Sequence, residues 1–278
     1  MKRITTLSVI ALLAANAHAQ LGDIFKKINP DKAKKVIDVG RAATREFTPQ
    51  EEVDLGRVVA ARVLATYPLS GDEKLQRYVT LVGNTLAAYS ARPDLEWHFA
   101  VVETPVVNAF STPGGYVFVT TGAMKQMHSE AELATVLAHE IGHVTEKHIL
   151  KEIKRANVMS ASVDFAQSTS TGSWLNDDMA KKIGDLAYQK LFTTGLSRRD
   201  EEEADKIAVS VAADAGYRAG EFVTFLEALE KLEGTSAMKV LTATHPRPED
   251  RIAYVKPLVK GDHGEVLSAR WEEWTAQR

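Results

Sequence analysis

The sequence predicts an α+β protein, mostly helical, with one small β-sheet set directly before its central helix. Three observations carry this: apolar stripes at helical spacing between residues 48 and 90, a switch to β-branched and aromatic runs between 95 and 122, and a return to helical period from residue 129. At 278 residues the chain has ample sequence for one large domain or two small ones. A formal charge of -3, with no dense Lys/Arg block outside the N-terminal region, argues against nucleic acid as the main partner. The chain has no cysteine. Disulfides, thiolate ligands and a cysteine nucleophile are therefore excluded together, and any metal must be held by nitrogen and oxygen.

In chain order, "MKRITTLSVIALLAANAHAQ" has basic Lys2 and Arg3, an apolar run from Ile4 to Ala15, and the small-residue signature Ala17-His18-Ala19. This reads as a cleavable secretory signal over residues 1–19, cut after Ala19. The apolar run is shorter than the roughly 20 residues a membrane span needs. No cysteine follows the cleavage site, so a lipid anchor of the lipoprotein kind is not expected, and the mature chain should be soluble and periplasmic. Residues 20–47, mixed in charge and broken by Pro30, read as a solvated arm whose lysines could also touch anionic lipid or a partner protein.

Thr48 and Glu51 form an S/T-x-x-E capping box ahead of Val53, Val58, Val59, Val63 and Leu64, predicting a helix that ends near Tyr67-Pro68. A second helix is predicted from about Gly71 to Ser90, burying Leu75, Val79, Val82, Leu86 and Ala87. "LEWHFAVVE" (Leu95 to Glu103) and "GGYVFVTTG" (Gly114 to Gly122) read as strands, with the turn signals of "TPVVNAFSTPGG" between them. Ser129 and Glu132 form another capping box for a helix whose Leu133, Val136, Leu137 and Ile141 enter the core. The polar patch Gln167 to Ser173 reads as a mobile loop.

That last helix carries "HEIGH". His139 and His143, four residues apart, share one face and can close on one zinc ion at about 2.0–2.1 Å. Glu140 lies about 100° round from His139, beside the metal, where a general base takes a proton from the attacking water. His148 would lie about 180° round from His139 on a continuous helix, which makes it a solvent-facing or second-layer residue. The third ligand must come from elsewhere, and "GLSRRDEEEADKIAVSVAADAGY" (Gly195 to Tyr217) offers it. There Glu201 and Asp205 share a face: the first can complete a His2Glu site, the second can accept the free ring N–H of a zinc-bound histidine. Ala204, Ala208 and Ala212 recur near that face and would let the two helices approach closely. Glu202 should face water, and the direction of Glu203 is open. Alone, "DEEEAD" would read as a charged surface run; beside "HEIGH" it reads as half of a metal site.

"HEIGHVTEKH", "SRRDEEEAD" and "THPRPEDRI", in that order, resemble the gluzincin metallopeptidase family of the CAAX prenyl endopeptidases and heat-shock membrane proteases. The likeness covers roughly Thr48 to Val259 and is nearest to the soluble periplasmic branch of outer-membrane quality-control proteases, which "VNAFSTPGGYVFVTTGAM" (Val107 to Met124) also resembles. The resemblance implies a zincin-like fold over residues 48–260, one zinc per chain on His139, His143 and Glu201, Glu140 as the base, and Asp205 behind a ligand. It also implies two roles that geometry alone does not. His245 would act at the zinc site, either donating to the oxyanion or blocking water as a fourth ligand; Asn108 and Ala109 would lie on an edge that pairs with substrate backbone. Residues 261–278 are left as a C-terminal tail. The implied activity is zinc-dependent endopeptidase action on misfolded or misassembled envelope proteins, with outer-membrane proteins or their assembly machinery as partners and no nucleic acid. A periplasmic chaperone with a regulatory zinc site is the competing expectation, and intact Glu140 argues against it.

Overall fold

A computed structural model describes residues 46–156 and 177–276. The signal segment, the arm as far as residue 45 and the patch Gln167–Ser173 lie outside the described residues. Helix α1 (Pro49–Thr66) starts on a complete capping box between Thr48 and Glu51, and α2 (Glu73–Ala87) starts on Asp72, whose carboxylate accepts from Leu75 N. The stripe Leu75, Val79, Val82, Leu86 and Ala87 is buried. Strands β1 (His98–Val102), β2 (Ala109–Thr112) and β3 (Tyr116–Thr120) form one sheet in the order β1-β3-β2. β1 runs parallel to β3 with Phe99 opposite Val117, and β2 antiparallel with Phe110 opposite Phe118. The stretch whose residues read as turns between two strands, with an edge at Asn108 and Ala109 implied by resemblance alone, therefore contains a strand of its own. Asn108 and the turn at Pro113–Gly115 delimit four residues of alternating Ala, Phe, Ser and Thr, too short a run to stand out from its turn-rich flanks.

After the single turn α3 (Thr121–Met124), helix α4 (Glu130–Thr145) packs against α2, β2 and, among the described residues, four helices that follow it. Its cap is half of the expected box: Ser129 Oγ accepts from Glu132 N at 3.1 Å, but the Glu132 carboxylate accepts from His128 N, one residue earlier than the box requires. The helix ends at Thr145, and Lys147 adopts a left-handed backbone (φ 57°) before α5 (His148–Arg155) begins. Helix α6 (Asp177–Gln189) and a π-helical turn (Lys190–Thr194) lead to α7 (Arg198–Asp214), capped by a box between Ser197 and Asp200. Helices α8 (Glu221–Glu230), α9 (Lys239–Thr244) and α10 (Pro248–Val255) follow. The last helix, α11 (Ser268–Thr275), lies in the segment read as a tail, yet it packs on α2 and α4 and puts Trp271, 6% exposed, into the common core. Glu130, buried at the first turn of α4, accepts from Tyr78, Tyr217 and Arg270, so the C-terminal segment is also tied to α4 by charge.

Candidate metal centre

Two helices bring the site together because their contact face carries no bulk. A β-carbon at Gly142 would meet the Ala204 backbone at 3.2 Å, and Ala204, Ala208 and Ala212 are all fully buried. That close approach lets α4 present His139 and His143 directly to Glu201 of α7. The Nε2 atoms of the two histidines are 3.0 Å apart, Glu201 Oε2 lies 3.7 Å from His139 Nε2, and Glu201 Oε1 lies 3.6 Å from His143 Nε2. Tetrahedral zinc with bonds near 2.0–2.1 Å would separate its ligands by about 3.4 Å. His245 joins the cluster from the C-cap of α9, its Nε2 3.8 Å from Glu201 Oε2, and one ligand atom from each of the four residues lies within 4.8 Å of the others.

Hydrogen bonding behind the cluster decides what it presents. Asp205 Oδ1 is 2.8 Å from His139 Nδ1, and a carboxylate there can only accept, so the ring proton sits on Nδ1 and Nε2 is bare. Arg251 of α10 donates to both oxygens of the same carboxylate, from Nη2 at 2.6 Å and Nε at 3.1 Å. Burial alone would raise the Asp205 pKa; the Arg251 charge and the His139 bond outweigh it and hold the group well below the usual carboxylate range. Glu201 is pushed the other way, well above it, chiefly by burial, and its Oε2 has no hydrogen-bond partner among the described residues. Burial likewise lowers His139 and, further still, His143, so both rings favour their neutral, ligating form. The charge balance points the same way. With a divalent cation beside it Glu201 could ionise in spite of burial, and Glu140, Glu201 and Asp205, all ionised, would with Arg251 carry a net charge of -2 that such a cation neutralises. Donor type, spacing, the unpartnered Glu201 oxygen and charge all fit zinc.

Glu140 ligates nothing in this arrangement. Its Oε2 accepts from Ser111 Oγ at 3.0 Å, and burial raises its pKa to about 7. It lines, with His139, Asn108, Ala109, His245 and Arg251, a small pocket whose walls are the apolar side chains of Val136, Phe222, Phe225, Leu229 and Leu241. Asn108 is buried there with both side-chain amide atoms unpartnered among the described residues. The Asn108 carbonyl is already spent on Thr120 N at 3.1 Å; by the alternation of an antiparallel ladder, the backbone groups of Ala109 point to the open edge of β2. The segment ahead of His245 is largely helical, with Met238 and Leu241 buried. It is also clamped from α7's side. Gly195, at φ 68°, packs so closely that a β-carbon would lie 2.1 Å from the Thr244 carbonyl oxygen.

Three side chains of the site carry no sequence signal of their own. Ser111 lies in the strand read as a turn. Arg251 stands inside "PRPEDRI", where one arginine in a charged helix start looks solvated; only its placement opposite Asp205 reveals a buried ion pair. His148 departs from the helical wheel because α4 stops short of it. It is fully buried, with Nδ1 2.8 Å from His143 Nδ1, so of the two expectations for it the second-layer position holds and the solvent-facing one does not. Glu202 is half-buried and pairs with Arg198, and Glu203 reaches His148 Nε2 at 3.3 Å.

Comparison with known proteins places this geometry among relatives. The chain is 27% identical over 252 residues to the beta-barrel assembly-enhancing protease of Escherichia coli (strain K12), covering 88% of this chain and 50% of that protein. It is 33% identical over 165 residues to the mitochondrial metalloendopeptidase OMA1 of Arabidopsis thaliana (59% of this chain, 32% of that protein) and 30% identical over 175 residues to the human OMA1 metalloendopeptidase (59% and 33%). The chain thus spans about half the length or less of these relatives. The family model for peptidase family M48 matches residues 73–259, a stretch that runs from α2 past α10 and holds every side chain of the cluster. On the breadth of that match, the chain belongs to peptidase family M48.

Proposed function

We propose that this chain is a zinc-dependent endopeptidase of the bacterial cell envelope that cleaves misfolded or misassembled proteins, outer-membrane proteins or their assembly machinery among them. The observation that carries this reading is a cluster of ligand lone pairs beside a buried carboxylate, Glu140, that ligates nothing. A zinc site kept only for shape has no use for that carboxylate. Zinc on His139, His143 and Glu201 would supply a Lewis acid for the scissile carbonyl and lower the pKa of a water towards about 7. Glu140, raised to about 7 by burial, is suited to accept the proton of the attacking water and pass it to the leaving amine. Ser111 fixes one of its oxygens and leaves the other for that water. The open edge at Ala109 pairs with substrate backbone, the unpartnered Asn108 amide binds a substrate peptide group, and the apolar walls behind them accept an apolar side chain next to the cleaved bond. His245 acts as a latch at the fourth ligand position.

Envelope residence rests on the signal sequence read over residues 1–19 and on relatives named for β-barrel assembly. Among the described residues no helix is long and apolar enough to cross a membrane. The test pairs zinc content with hydrolysis of an unfolded protein substrate. Glu140→Gln should keep about one zinc per chain and its fold while losing hydrolysis by at least roughly 100-fold. Hydrolysis equal to wild type would remove Glu140 as base; a protein that binds zinc yet cleaves nothing even as His245→Ala would favour the chaperone.

A further inference from the structure

The two histidines of α4 are not supported alike. His139 has a carboxylate behind it, Asp205, whereas His143 has another histidine. His148 reaches that place only because α4 breaks after Thr145 and Lys147 turns the chain through a left-handed conformation that a β-carbon disfavours. The two rings meet edge to face with centroids 5.0 Å apart and Nδ1 atoms 2.8 Å apart. One of those nitrogens must donate and the other accept. The far side of His148 decides which. Its Nε2 faces Glu203 Oε2 at 3.3 Å and Asp200 Oδ1 at 3.7 Å, and carboxylates there can only accept. The His148 proton therefore lies on Nε2, its Nδ1 is an acceptor, and the proton between the rings belongs to His143 Nδ1. His143 Nε2 is then bare and aimed at the cluster with His139 Nε2 and Glu201.

We propose that His148, held by Glu203 beside the Asp200 carboxylate, is the positioning residue that fixes His143 in its Nε2-ligating tautomer and orientation. This rests on the zinc-site reading above. It gives the acidic run of α7 a third use beside the ligand Glu201 and the partner Asp205: Glu203, two residues after the ligand, accepts from His148 Nε2, Asp200, one before it, adds its negative field at 3.7 Å, and the neutral ring carries hydrogen-bond order from the surface to the metal ligand. A ring in that place supplies an acceptor without adding a further negative charge to a site that already buries three carboxylates against one guanidinium.

The test compares His148→Leu, which fills the space but accepts no hydrogen bond, with His148→Gln, whose amide oxygen can accept from His143 Nδ1. Zinc affinity of the full mature chain is read by competition with a chromophoric chelator, and the cobalt-substituted proteins give a visible spectrum that reports ligand geometry. His148→Leu should bind zinc on the order of 10- to 100-fold more weakly, with an altered cobalt spectrum, and His148→Gln should recover most of the loss. Nitrogen-15 NMR of the zinc-loaded wild type should find the His148 proton on Nε2 and none on Nδ1. A His148 proton on Nδ1, equal zinc affinity in His148→Leu and wild type, or equal losses in Leu and Gln variants would each overturn the assignment. So would two zinc ions per wild-type chain falling to one in His148→Leu, which would make His148 a ligand of a second metal with Asp200 and Glu203. If wild type itself binds no zinc, the metal reading fails rather than this one. Should His148→Leu not fold, the NMR tautomer of wild type and the Gln variant still decide.

Discussion

Replacing Arg251 by methionine removes the cation that faces Asp205 and leaves the rest of α10 in place. Arg251 is 7% exposed and Asp205 1%, so neither can recover solvation without opening the site. The loss is two short charge-assisted bonds, at 2.6 and 3.1 Å, and a carboxylate left with one donor, His139 Nδ1. Breaking a buried pair from one side costs about 3–5 kcal/mol, and the donor that remains places the expectation near the lower end, about 3 kcal/mol. At roughly 2–4 °C per kcal/mol for a chain of this size, Tm should fall by about 6–12 °C. Circular dichroism on heating and in urea, with a chelator present, measures it. The sign with pH follows from Asp205. Its folded pKa is depressed, so its share of the stability is present above the unfolded value near 3.9 and is lost as pH falls through the folded one. The gap between wild type and Arg251→Met should therefore be widest near neutrality and narrow below about pH 4. Asp205→Asn combined with Arg251→Met should cost less than the two single losses added, by at least about 1 kcal/mol. A loss under about 1 kcal/mol in Arg251→Met, or additive costs, would mean that the pair does not hold a buried charge.

Much of this was legible in the sequence, and the remainder was hidden for identifiable physical reasons. Local rules placed α1, α2, α4 and α7, because a cap and a helical stripe are written in neighbouring residues: Thr48 with Glu51, Ser129 before Leu133, Ala204 to Ala212. Helical spacing also grouped the pairs His139/His143 and Glu201/Asp205, which the fold then sets opposite each other across Gly142 and Ala204. What local rules miss is any contact made by a break or across distant segments. His148 moves from the far side of a helical wheel to the back of His143 because Lys147 interrupts the helix, and nothing in "VTEKH" announces a left-handed lysine. Arg251 finds Asp205, and Arg270 finds Glu130 across 140 residues, through packing that no window of sequence contains. Trp271 is hidden for the same reason: a short charged helix with two tryptophans near the chain end looks like a tail until its neighbours are known.

The ligand assignment separates two adjacent glutamates. Glu201→Gln should lose zinc readily and Glu202→Gln, half-buried and paired with Arg198, should not, so equal zinc loss in both would sink it. Trp271→Ala should cost about 3–5 kcal/mol in urea unfolding, and a change within 0.5 kcal/mol, as for an exposed site, would show that α11 is not part of the core. For His245, the position of its nitrogen is what favours the latch proposed above. An oxyanion donor must sit against the substrate carbonyl, on the side from which the peptide enters, and must leave the open ligand position to the attacking water. His245 Nε2 lies instead 3.8 Å from Glu201 Oε2, inside the ligand cluster, with its ring centroid 5.7 Å from that of His139. Burial, and then the Arg251 charge, hold its pKa well below the ordinary value, so the ring is neutral and has a lone pair to offer. On the proposed zinc site, a ring in that position would compete with water for the fourth coordination site, and the close packing of Gly195 on Thr244 would hold it there. His245→Ala should therefore raise basal hydrolysis of an unfolded substrate while zinc content stays near one per chain. A fall in kcat of about 100-fold would mark the oxyanion role. An unchanged rate at unchanged zinc content would exclude both roles, because a ring that neither blocks water nor donates to the transition state leaves turnover as it was.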